Sequence, residues 1–229
     1  MNKHADQLLE RIKSRKALIG VIGMGYVGLP LVIRFCEEGF PVLGFDIDSG
    51  KVNRLSRGES YIKHIRSEAI AAFRSRNAFE ATASMGRLKE PDAIIICVPT
   101  PLNDNREPDM QYVEGTAQEI AGRLRPGQLI SLESTTYPGT KDEILLPLYA
   151  GRGLTVGKDF FLAFSPERED PGRQDFTTKT TPKIVGGMTA DCLRVSAALY
   201  ASILDKVIEV SSPRVAEMSK LLENIYRSV

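Results

Sequence analysis

The sequence has no excess of charge of one sign, no long apolar run and few cysteines or histidines. Its 30 basic and 29 acidic residues leave a formal net charge of +1, which argues against nucleic acid or an anionic membrane as the main partner. No apolar run reaches the roughly 18 residues that a transmembrane helix needs. Residues 1–16 are polar and lack the apolar core of a secretory signal peptide.

The three cysteines, Cys36, Cys97 and Cys192, have neither the spacing of a metal site nor that of a disulfide framework. The lack of a disulfide pattern favours a cytoplasmic protein. The three side chains are interpreted as small buried hydrophobic groups. His4 and His64 lie far apart in polar segments, so solvated side chains are favoured over a metal or catalytic pair. At 229 residues and 42% hydrophobic, the chain is an ordinary globular protein with one large domain or two small ones.

The most informative feature that is present is a glycine motif between a strand-like stretch at 17–22 and a helix-like stretch. In that context the first glycine permits a tight turn, the second lets the backbone approach a pyrophosphate, and the third lets the helix pack closely against the strand. The N–H groups and dipole at the helix start hold the phosphates. A glycine-rich turn without a ligand is the alternative. The predicted cofactor-binding residues of this turn are Gly23, Met24, Gly25, Tyr26, Val27 and Gly28.

A second strand-like stretch, 41–45, ends in Asp46, 18 residues after Gly28. An acidic residue at this place binds the adenosine ribose hydroxyls and repels a 2′-phosphate, so the sequence favours NAD over NADP.

Strand-like and helix-like runs alternate along the rest of the chain, which predicts an α/β fold with a doubly wound, mostly parallel sheet. Apolar runs such as 93–98 fit strands that are covered on both faces. The predicted strands are 17–22, 41–45, 93–98, 128–132, 160–164, 183–185 and 206–209, and the predicted helices are 29–38, 49–56, 68–76, 111–124, 141–149 and 190–201.

Both ends of the chain are predicted to be helical. Leu8, Leu9 and Ile12 have helical spacing and indicate a short lead-in helix within residues 1–16. Ser212-Pro213 is a good helix start, and apolar residues follow it at helical spacing up to Val229. Because that amphipathic pattern stops without a glycine, a proline or a polar tail, we expect this chain to be the N-terminal portion of a longer protein.

Four polar or proline-rich segments follow predicted strands, at the sheet edge where ligands bind in open α/β folds. They are the glycine turn and the segments 97–101, 133–139 and 165–172. A turn that only reverses the chain is the alternative for each segment taken singly, but four at one edge favour a binding crevice. On the last helix, Lys220 and Asn224 share one face, and their spacing alone favours solvated side chains.

Taken together and in order, these motifs resemble the nucleotide-sugar 6-dehydrogenases, the UDP-glucose/GDP-mannose dehydrogenase family. The resemblance covers essentially the whole chain. Within the family the chain is most similar to the UDP-N-acetylglucosamine 6-dehydrogenase branch. The matching motifs are Gly23-Met-Gly-Tyr-Val-Gly-Leu-Pro30, Phe45-Asp46, Cys97-Val-Pro-Thr-Pro101, Ser134-Thr-Thr-Tyr-Pro-Gly139, Ser165-Pro-Glu-Arg168 and Lys220-Leu-Leu-Glu-Asn-Ile-Tyr-Arg227.

The resemblance implies a Rossmann-like NAD-binding domain at 17–211 and, from 212 to 229, the start of a long central helix that forms a homodimer. It also implies a four-electron oxidation of the C6 alcohol of a UDP-sugar to the carboxylate, with two NAD reduced. Glu167 matches the glutamate that assists water activation, and Thr135 the threonine that holds the water. Lys220 matches the lysine that stabilises the oxyanion. Substrate contacts of the family are matched by four residues: Glu167, Arg168, Lys220 and Asn224. Further implied cofactor contacts are Lys51, Val98, Pro99, Thr100, Ser134 and Thr135.

One departure from the family is important. In the family a cysteine beyond the central helix captures the aldehyde, and neither its motif nor the UDP-binding C-terminal domain occurs in this sequence. We therefore expect the chain alone to bind NAD without completing the oxidation. The alternatives are a family member that acts on UDP-glucose, UDP-N-acetylmannosamine or GDP-mannose, a β-hydroxyacid dehydrogenase, and a stand-alone nucleotide-binding module.

Overall fold

The computed structural model describes residues 2–101, 108–167 and 179–228. The strands are Ile19–Ile22 (β1), Val42–Phe45 (β2), Phe79–Thr82 (β3), Ala93–Ile96 (β4), Leu129–Leu132 (β5), Phe161–Phe164 (β6), Lys183–Gly187 (β7) and Val207–Val210 (β8). The α-helices are Lys3–Lys13 (α1), Gly28–Glu37 (α2), Ser49–Ser56 (α3), Ser67–Ser75 (α4), Gln111–Ala121 (α5), Leu146–Ala150 (α6), Ala190–Ala201 (α7) and Pro213–Ser228 (α8). A π-helical turn, Lys141–Leu145, runs into α6.

The strands form one eight-stranded sheet in the order β3-β2-β1-β4-β5-β6-β7-β8. Every neighbouring pair is parallel except β6 and β7, so the predicted doubly wound, mostly parallel α/β fold is confirmed. Strand β3 is not among the strands that the sequence predicts. That strand lies at the edge of the sheet and alternates buried Phe79 and Ala81 with exposed Glu80, so it has no apolar run of the kind that marks the central strands.

Two apolar layers cover the sheet, one on each face. Successive side chains of β4 alternate between them: Ile95 packs in one layer, whereas Ile94 and Ile96 pack in the other. This is the pattern that a strand with both faces covered requires, because neighbouring side chains point to opposite faces.

The carboxyl ends of five strands lie level with one another. The ladder pairs the last residue of each strand with that of its neighbour, in a row that runs through Phe45, Ile22, Ile96, Leu132 and Phe164. The segments that leave these strands therefore begin at one edge of the sheet. The residues that begin them are Asp46, Gly23, Cys97, Glu133 and Ser165.

Helices α1 and α8 lie where the sequence predicts helices at the two ends. The side-chain oxygen of Asn2 accepts from the N–H groups of His4 and Ala5 and so caps α1. The Ser212 hydroxyl accepts from the N–H of Val215, at 3.3 Å, in the first turn of α8. Among the described residues there is no helix with the length and apolar character needed to span a bilayer.

Candidate functional site: a dinucleotide cavity at the sheet edge

The glycine turn connects β1 to α2, and each of its glycines meets a different local constraint. Gly23 has φ +93°, and a Cβ there would lie 2.6 Å from the carbonyl oxygen of Cys97. A Cβ on Gly28 would lie 1.9 Å from the carbonyl oxygen of Gly23, whereas a Cβ on Gly25 would meet no atom within 4 Å. Gly23 and Gly28 therefore let the turn and the helix pack, and Gly25 leaves the backbone open towards the cavity.

Asp46 sits beside this turn, at the end of β2. Its Oδ2 accepts from the N–H of Met24 and its Oδ1 from the N–H of Asp48, both at 2.9 Å. The ammonium nitrogen of Lys51 lies 3.4 Å from Oδ2. Because the carboxylate is buried and held from two sides, it has a fixed position at which lone pairs remain for ribose hydroxyls.

A cavity of about 610 Å³ extends along the sheet edge over the glycine turn. Its size suits a dinucleotide, and no side chain caps the start of α2, so the first N–H groups of that helix can bind phosphate oxygens. The open backbone at Gly25 and the buried carboxylate of Asp46 fit the pyrophosphate and the adenosine ribose. These residues fit NAD.

Most of the predicted cofactor residues line this cavity. They are Gly23, Gly25, Tyr26, Val27, Asp46, Lys51, Val98, Pro99, Thr100, Ser134 and Thr135. The Ser134 hydroxyl donates to the carbonyl oxygen of Val98, at 2.6 Å, and so ties the segments after β4 and β5 together.

Met24 and Gly28 are absent from the cavity lining. The Met24 side chain is fully buried, and its sulfur would lie 2.6 Å from a Cβ placed on Gly44. The backbone of Met24 acts instead: its N–H holds Asp46, and its carbonyl oxygen accepts from the Tyr61 hydroxyl.

Several lining residues carry no motif and were missed by the sequence analysis. Ile47 is 77% exposed and directly follows Asp46, and Tyr112 is also exposed at the cavity. Met85 and Thr116 line the same cavity. Large apolar side chains exposed at a concave site suit a flat apolar group such as a base. An apolar residue directly after the strand-ending aspartate was the one signal available in the sequence.

The wall of the cavity beyond β5 is acidic. Glu133 and Glu167 both line it. Glu133 is buried, and it accepts from Lys183 at 2.8 Å and from the Tyr200 hydroxyl at 2.7 Å. Burial raises the pKa of Glu133, and the charge of Lys183 opposes that shift.

Of the predicted catalytic residues, Glu167 and Thr135 line the cavity, but Lys220 is not part of its lining. Lys220 lies on α8 one turn beyond Ala216, which packs in the core, so its half-buried side chain extends from the helix face next to the sheet. Asn224 also belongs to α8, but its side chain lies outside the described part. Arg168 falls outside the described residues, as do 102–107 and most of the 165–172 segment.

The three cysteines are buried and form no disulfide, as the sequence predicts. Burial raises the pKa of the Cys36 thiol to about 12, so this group is a poor nucleophile at neutral pH. Within the described ranges, no group of three or more histidine, cysteine or acidic side chains is placed to hold a metal ion.

Comparison with protein families gives a match over residues 17–204 to the family described as "UDP-glucose/GDP-mannose dehydrogenase family, NAD binding domain". The chain belongs to this family. The match covers the glycine turn, Asp46 and every strand up to β7, and it establishes NAD as the cofactor of this domain. The predicted family membership is confirmed.

Relatives within the UDP-glucose/GDP-mannose dehydrogenase family are about twice as long as this chain. The UDP-N-acetyl-D-mannosamine dehydrogenase of Escherichia coli K12 is 36% identical over 220 residues, which are 93% of this chain and 52% of the relative. The UDP-N-acetyl-D-glucosamine 6-dehydrogenase of Pseudomonas aeruginosa is 32% identical over 213 residues, which are 92% of this chain and 50% of the relative. The solved structure of an NDP-N-acetyl-D-galactosaminuronic acid dehydrogenase from Methanosarcina mazei is similar to this chain, with a TM-score of 0.87 and 33% sequence identity. The match covers 99% of this chain and 50% of that structure.

Asp46→Asn is expected to shift cofactor preference in this family member from NAD towards NADP. Asparagine keeps the shape and one acceptor oxygen, but it loses the charge that repels a 2′-phosphate and leaves Lys51 to attract one. We expect NAD to bind roughly tenfold more weakly, about 1.4 kcal/mol, and the NAD-over-NADP affinity ratio to fall about 100-fold. Calorimetric titration with both cofactors measures this.

Asp48→Asn is the matched control for Asp46→Asn. Asp48 is exposed, lines the same cavity and caps α3 by accepting from the N–H of Gly50 at 2.8 Å, a role that asparagine fills equally well. The cofactor ratio should stay the same. An equal shift in both variants would assign the effect to net charge and contradict the role of Asp46.

Proposed function

We propose that this chain is the NAD-binding half of an enzyme that oxidises the C6 alcohol of a UDP-N-acetylhexosamine to the uronic acid, with two NAD consumed per sugar. The observation that carries the proposal is the placement of Glu167 and Thr135 on the wall of the same cavity that holds the glycine turn and Asp46. A carboxylate and a hydroxyl beside a cofactor site can hold and activate water, which is the chemistry that the carboxylate-forming step requires.

Each of the chain's own residues has one task in this proposal. Bound NAD supplies the hydride acceptor. Thr135 holds a water molecule, and Glu167 takes a proton from it. Lys220 places a positive charge where the substrate oxygen becomes negative, and Asn224 supports the same oxygen. In the same proposal Arg168, together with Glu167, Lys220 and Asn224, contacts the sugar nucleotide.

UDP-N-acetylglucosamine is the substrate that we propose. The support is that several relatives are named for N-acetylated sugars, among them N-acetylglucosamine, N-acetylmannosamine and N-acetylgalactosaminuronic acid. The other N-acetylhexosamines are alternative outcomes of the experiment. The product, a uronic acid, is proposed to supply surface polysaccharide.

The rest of the proposed enzyme follows from the same reading. Residues 17–211 form the NAD-binding domain, and α8 is the beginning of a central helix that forms a homodimer. The nucleophilic cysteine is proposed to lie outside this chain, since Cys36, Cys97 and Cys192 are all buried. Cysteines outside any disulfide are also typical of a reducing compartment, so the proposed location is the cytoplasm.

The test measures NADH formed per sugar, with limiting UDP-N-acetylglucosamine and excess NAD. Two proteins are compared: the 229-residue chain, and the gene product read to its stop codon. NAD binding to the 229-residue chain is measured in parallel by calorimetry. We expect the chain to bind NAD and the gene product to form about two NADH per sugar, as capture of the aldehyde by a thiol requires.

Three other results would each reject one part of the proposal: the roles of the two site residues, the substrate, or the external cysteine. About one NADH per sugar would indicate a simple alcohol dehydrogenase and would remove the roles of Glu167 and Thr135. Activity on UDP-glucose or another nucleotide sugar alone would reject the substrate. Sustained NADH formation by the 229-residue chain would reject the external cysteine.

A further inference from the structure

Lys183, at the start of β7, is a buried cation that the proposed mechanism does not use. Its ammonium nitrogen lies 2.8 Å from Oε2 of Glu133 and 5.1 Å from the centre of the Tyr200 ring. The side chains of Lys183 and Glu133 are 10% and 1% exposed. A charge buried to this degree is retained only where it is paired and hydrogen-bonded, so the pair is a defined feature of the cavity wall.

The sheet also brings Lys183 to Glu167. Strands β6 and β7 are antiparallel, with Phe164 opposite Gly186. Glu167 follows Phe164 by three residues and Lys183 precedes Gly186 by three, so the pairing brings the two near each other, and the charge of Glu167 acts on Lys183. The Ser165 hydroxyl donates to a carbonyl oxygen of β7 at 2.9 Å, which shows that the two segments stay side by side beyond the last ladder pair.

We propose that Lys183 is a positioning residue for Glu167: its buried ammonium group balances two carboxylates, those of Glu133 and Glu167, which the fold brings to one wall of the cavity. The inference rests on the proposed role of Glu167 in activating water. Lys183 does not itself line the cavity, so it acts through the carboxylates and not on the substrate.

The charges around Lys183 support this assignment. Burial alone would lower the pKa of Lys183, but the charges of Glu133 and Glu167 raise it above its usual value. Without the lysine, two carboxylates would share a poorly solvated wall, and their mutual repulsion would raise the pH at which the pair takes up a proton. A carboxyl group that already holds a proton cannot take one from water.

Other polar groups near Lys183 do not replace its charge. Tyr200 and Cys97 face it from α7 and from the end of β4, and the Tyr200 hydroxyl, whose pKa is raised well above its usual value by burial, donates to Glu133. Lys206, directly before β8, and Glu209, on β8, are exposed. On α8, Glu217 is bound by Lys141. Of the groups named here, Lys183 is the cation that pairs with Glu133 from within the sheet.

The test follows glutamate ionisation directly. The 229-residue chain is labelled with ¹³C-glutamate, and the side-chain carboxyl carbons of Glu133 and Glu167, assigned with Glu133→Gln and Glu167→Gln, are titrated by NMR. In Lys183→Met we expect the pair to take up one proton at a pH about 1 to 2 units higher than in wild type, the size of shift that a nearby charge produces. Lys183→Arg, which keeps the charge, should titrate like wild type.

A second pair of variants covers the case in which Lys183→Met does not fold. Glu133→Gln leaves the lysine with Glu167 alone, so the remaining carboxyl should titrate at lower pH than in wild type. The double variant Lys183→Met with Glu133→Gln removes both charges and should bring that titration back towards wild type. Titrations that are unchanged in folded variants would overturn the proposal and leave Lys183 a purely structural residue.

The consequence for catalysis is tested separately in the gene product read to its stop codon. The acid limb of the pH profile of kcat should move to higher pH in Lys183→Met, with KM for NAD unchanged, and Lys183→Arg should restore it. A wild-type protein that forms no NADH would reject the proposed function while leaving the NMR result intact. Shifted titrations with an unshifted kcat profile would overturn the link to Glu167.

Discussion

Gly28→Ala is expected to abolish NAD binding by disrupting the glycine turn, and Gly25→Ala to weaken it about 100-fold in a protein as stable as wild type. The added methyl at position 28 would lie 1.9 Å from the carbonyl oxygen of Gly23, which is backbone and cannot rotate away. Overpacking of this kind costs about 1 to 3 kcal/mol in the free energy of unfolding. The turn and the first turn of α2 must therefore shift, and the phosphate site shifts with them.

Gly25→Ala tests the effect on NAD binding separately from any effect on folding stability. A Cβ at Gly25 would meet no protein atom within 4 Å, and Gly25 is not one of the glycines with positive φ, so alanine costs the apo protein little. The methyl would point into the space from which a pyrophosphate reaches the backbone. We expect a loss of about 100-fold in NAD affinity, about 2.7 kcal/mol, with an unchanged melting temperature.

Chemical denaturation of both variants measures the free energy of unfolding, and calorimetric titration measures the affinity for NAD. Gly122→Ala is the control, since Gly122 is exposed, has φ −61° and would place its Cβ at an ordinary 3.7 Å from its neighbours. It should change neither stability nor binding appreciably. A Gly25→Ala protein that binds NAD like wild type would reject the position assigned to the pyrophosphate.

The sequence predicts this turn well because its constraints are local. A glycine at 23 is required by its own φ, and the spacing of Gly25 and Gly28 is set by one turn of chain between a strand and a helix. The central strands are predicted for a similar reason: burial on both faces leaves a continuous apolar run, as in Ala93–Ile96.

The parts that were not predicted depend on long-range contacts. Strand β3 exists because Phe79 pairs with Val42, 37 positions earlier, and its own residues give only a weak alternation. Tyr112 joins the cavity because α5 packs back against the sheet. Lys183 and Glu133 meet across 50 positions. Because charged side chains are mostly exposed, the sequence around Lys183 and around Glu133 predicts solvated side chains. It does not predict that the two form a buried pair.

Lys141 and Glu217 form a second buried pair of this kind, and it joins α8 to the π-helical turn before α6. The ammonium group of Lys141 contacts Oε1 of Glu217 and lies 4.0 Å from the centre of the Phe164 ring. Oε2 of Glu217 accepts from the N–H of Gly139 at 2.9 Å. The two side chains are 1% and 0% exposed. The pair therefore fixes the start of α8, and with it Lys220 one turn further on, against the segment that carries Thr135.

Lys141→Met is expected to lower the free energy of unfolding by about 3 to 5 kcal/mol, because it leaves the carboxylate of Glu217 buried without its partner. The double variant Lys141→Met with Glu217→Gln should recover most of that loss. Glutamine carries no charge and still accepts from Gly139, and replacing both members of a buried pair is often nearly neutral. Burial lowers the pKa of Lys141 to about 8, with Glu217 opposing the shift, so desolvation offsets much of what the pair contributes.

The matched control joins the same two elements at the surface. Arg214 on α8 and Asp142 of the π-helical turn lie 2.8 Å apart, with side chains 66% and 32% exposed, so Arg214→Met should cost no more than about 0.5 kcal/mol. Urea denaturation of the four proteins, wild type included, measures each difference. A loss in Lys141→Met no larger than that in Arg214→Met would show that solvent reaches the Glu217 carboxylate. In that case the pair could not hold α8 against the segment after β5, and the position of Lys220 relative to Thr135 would depend on apolar packing alone.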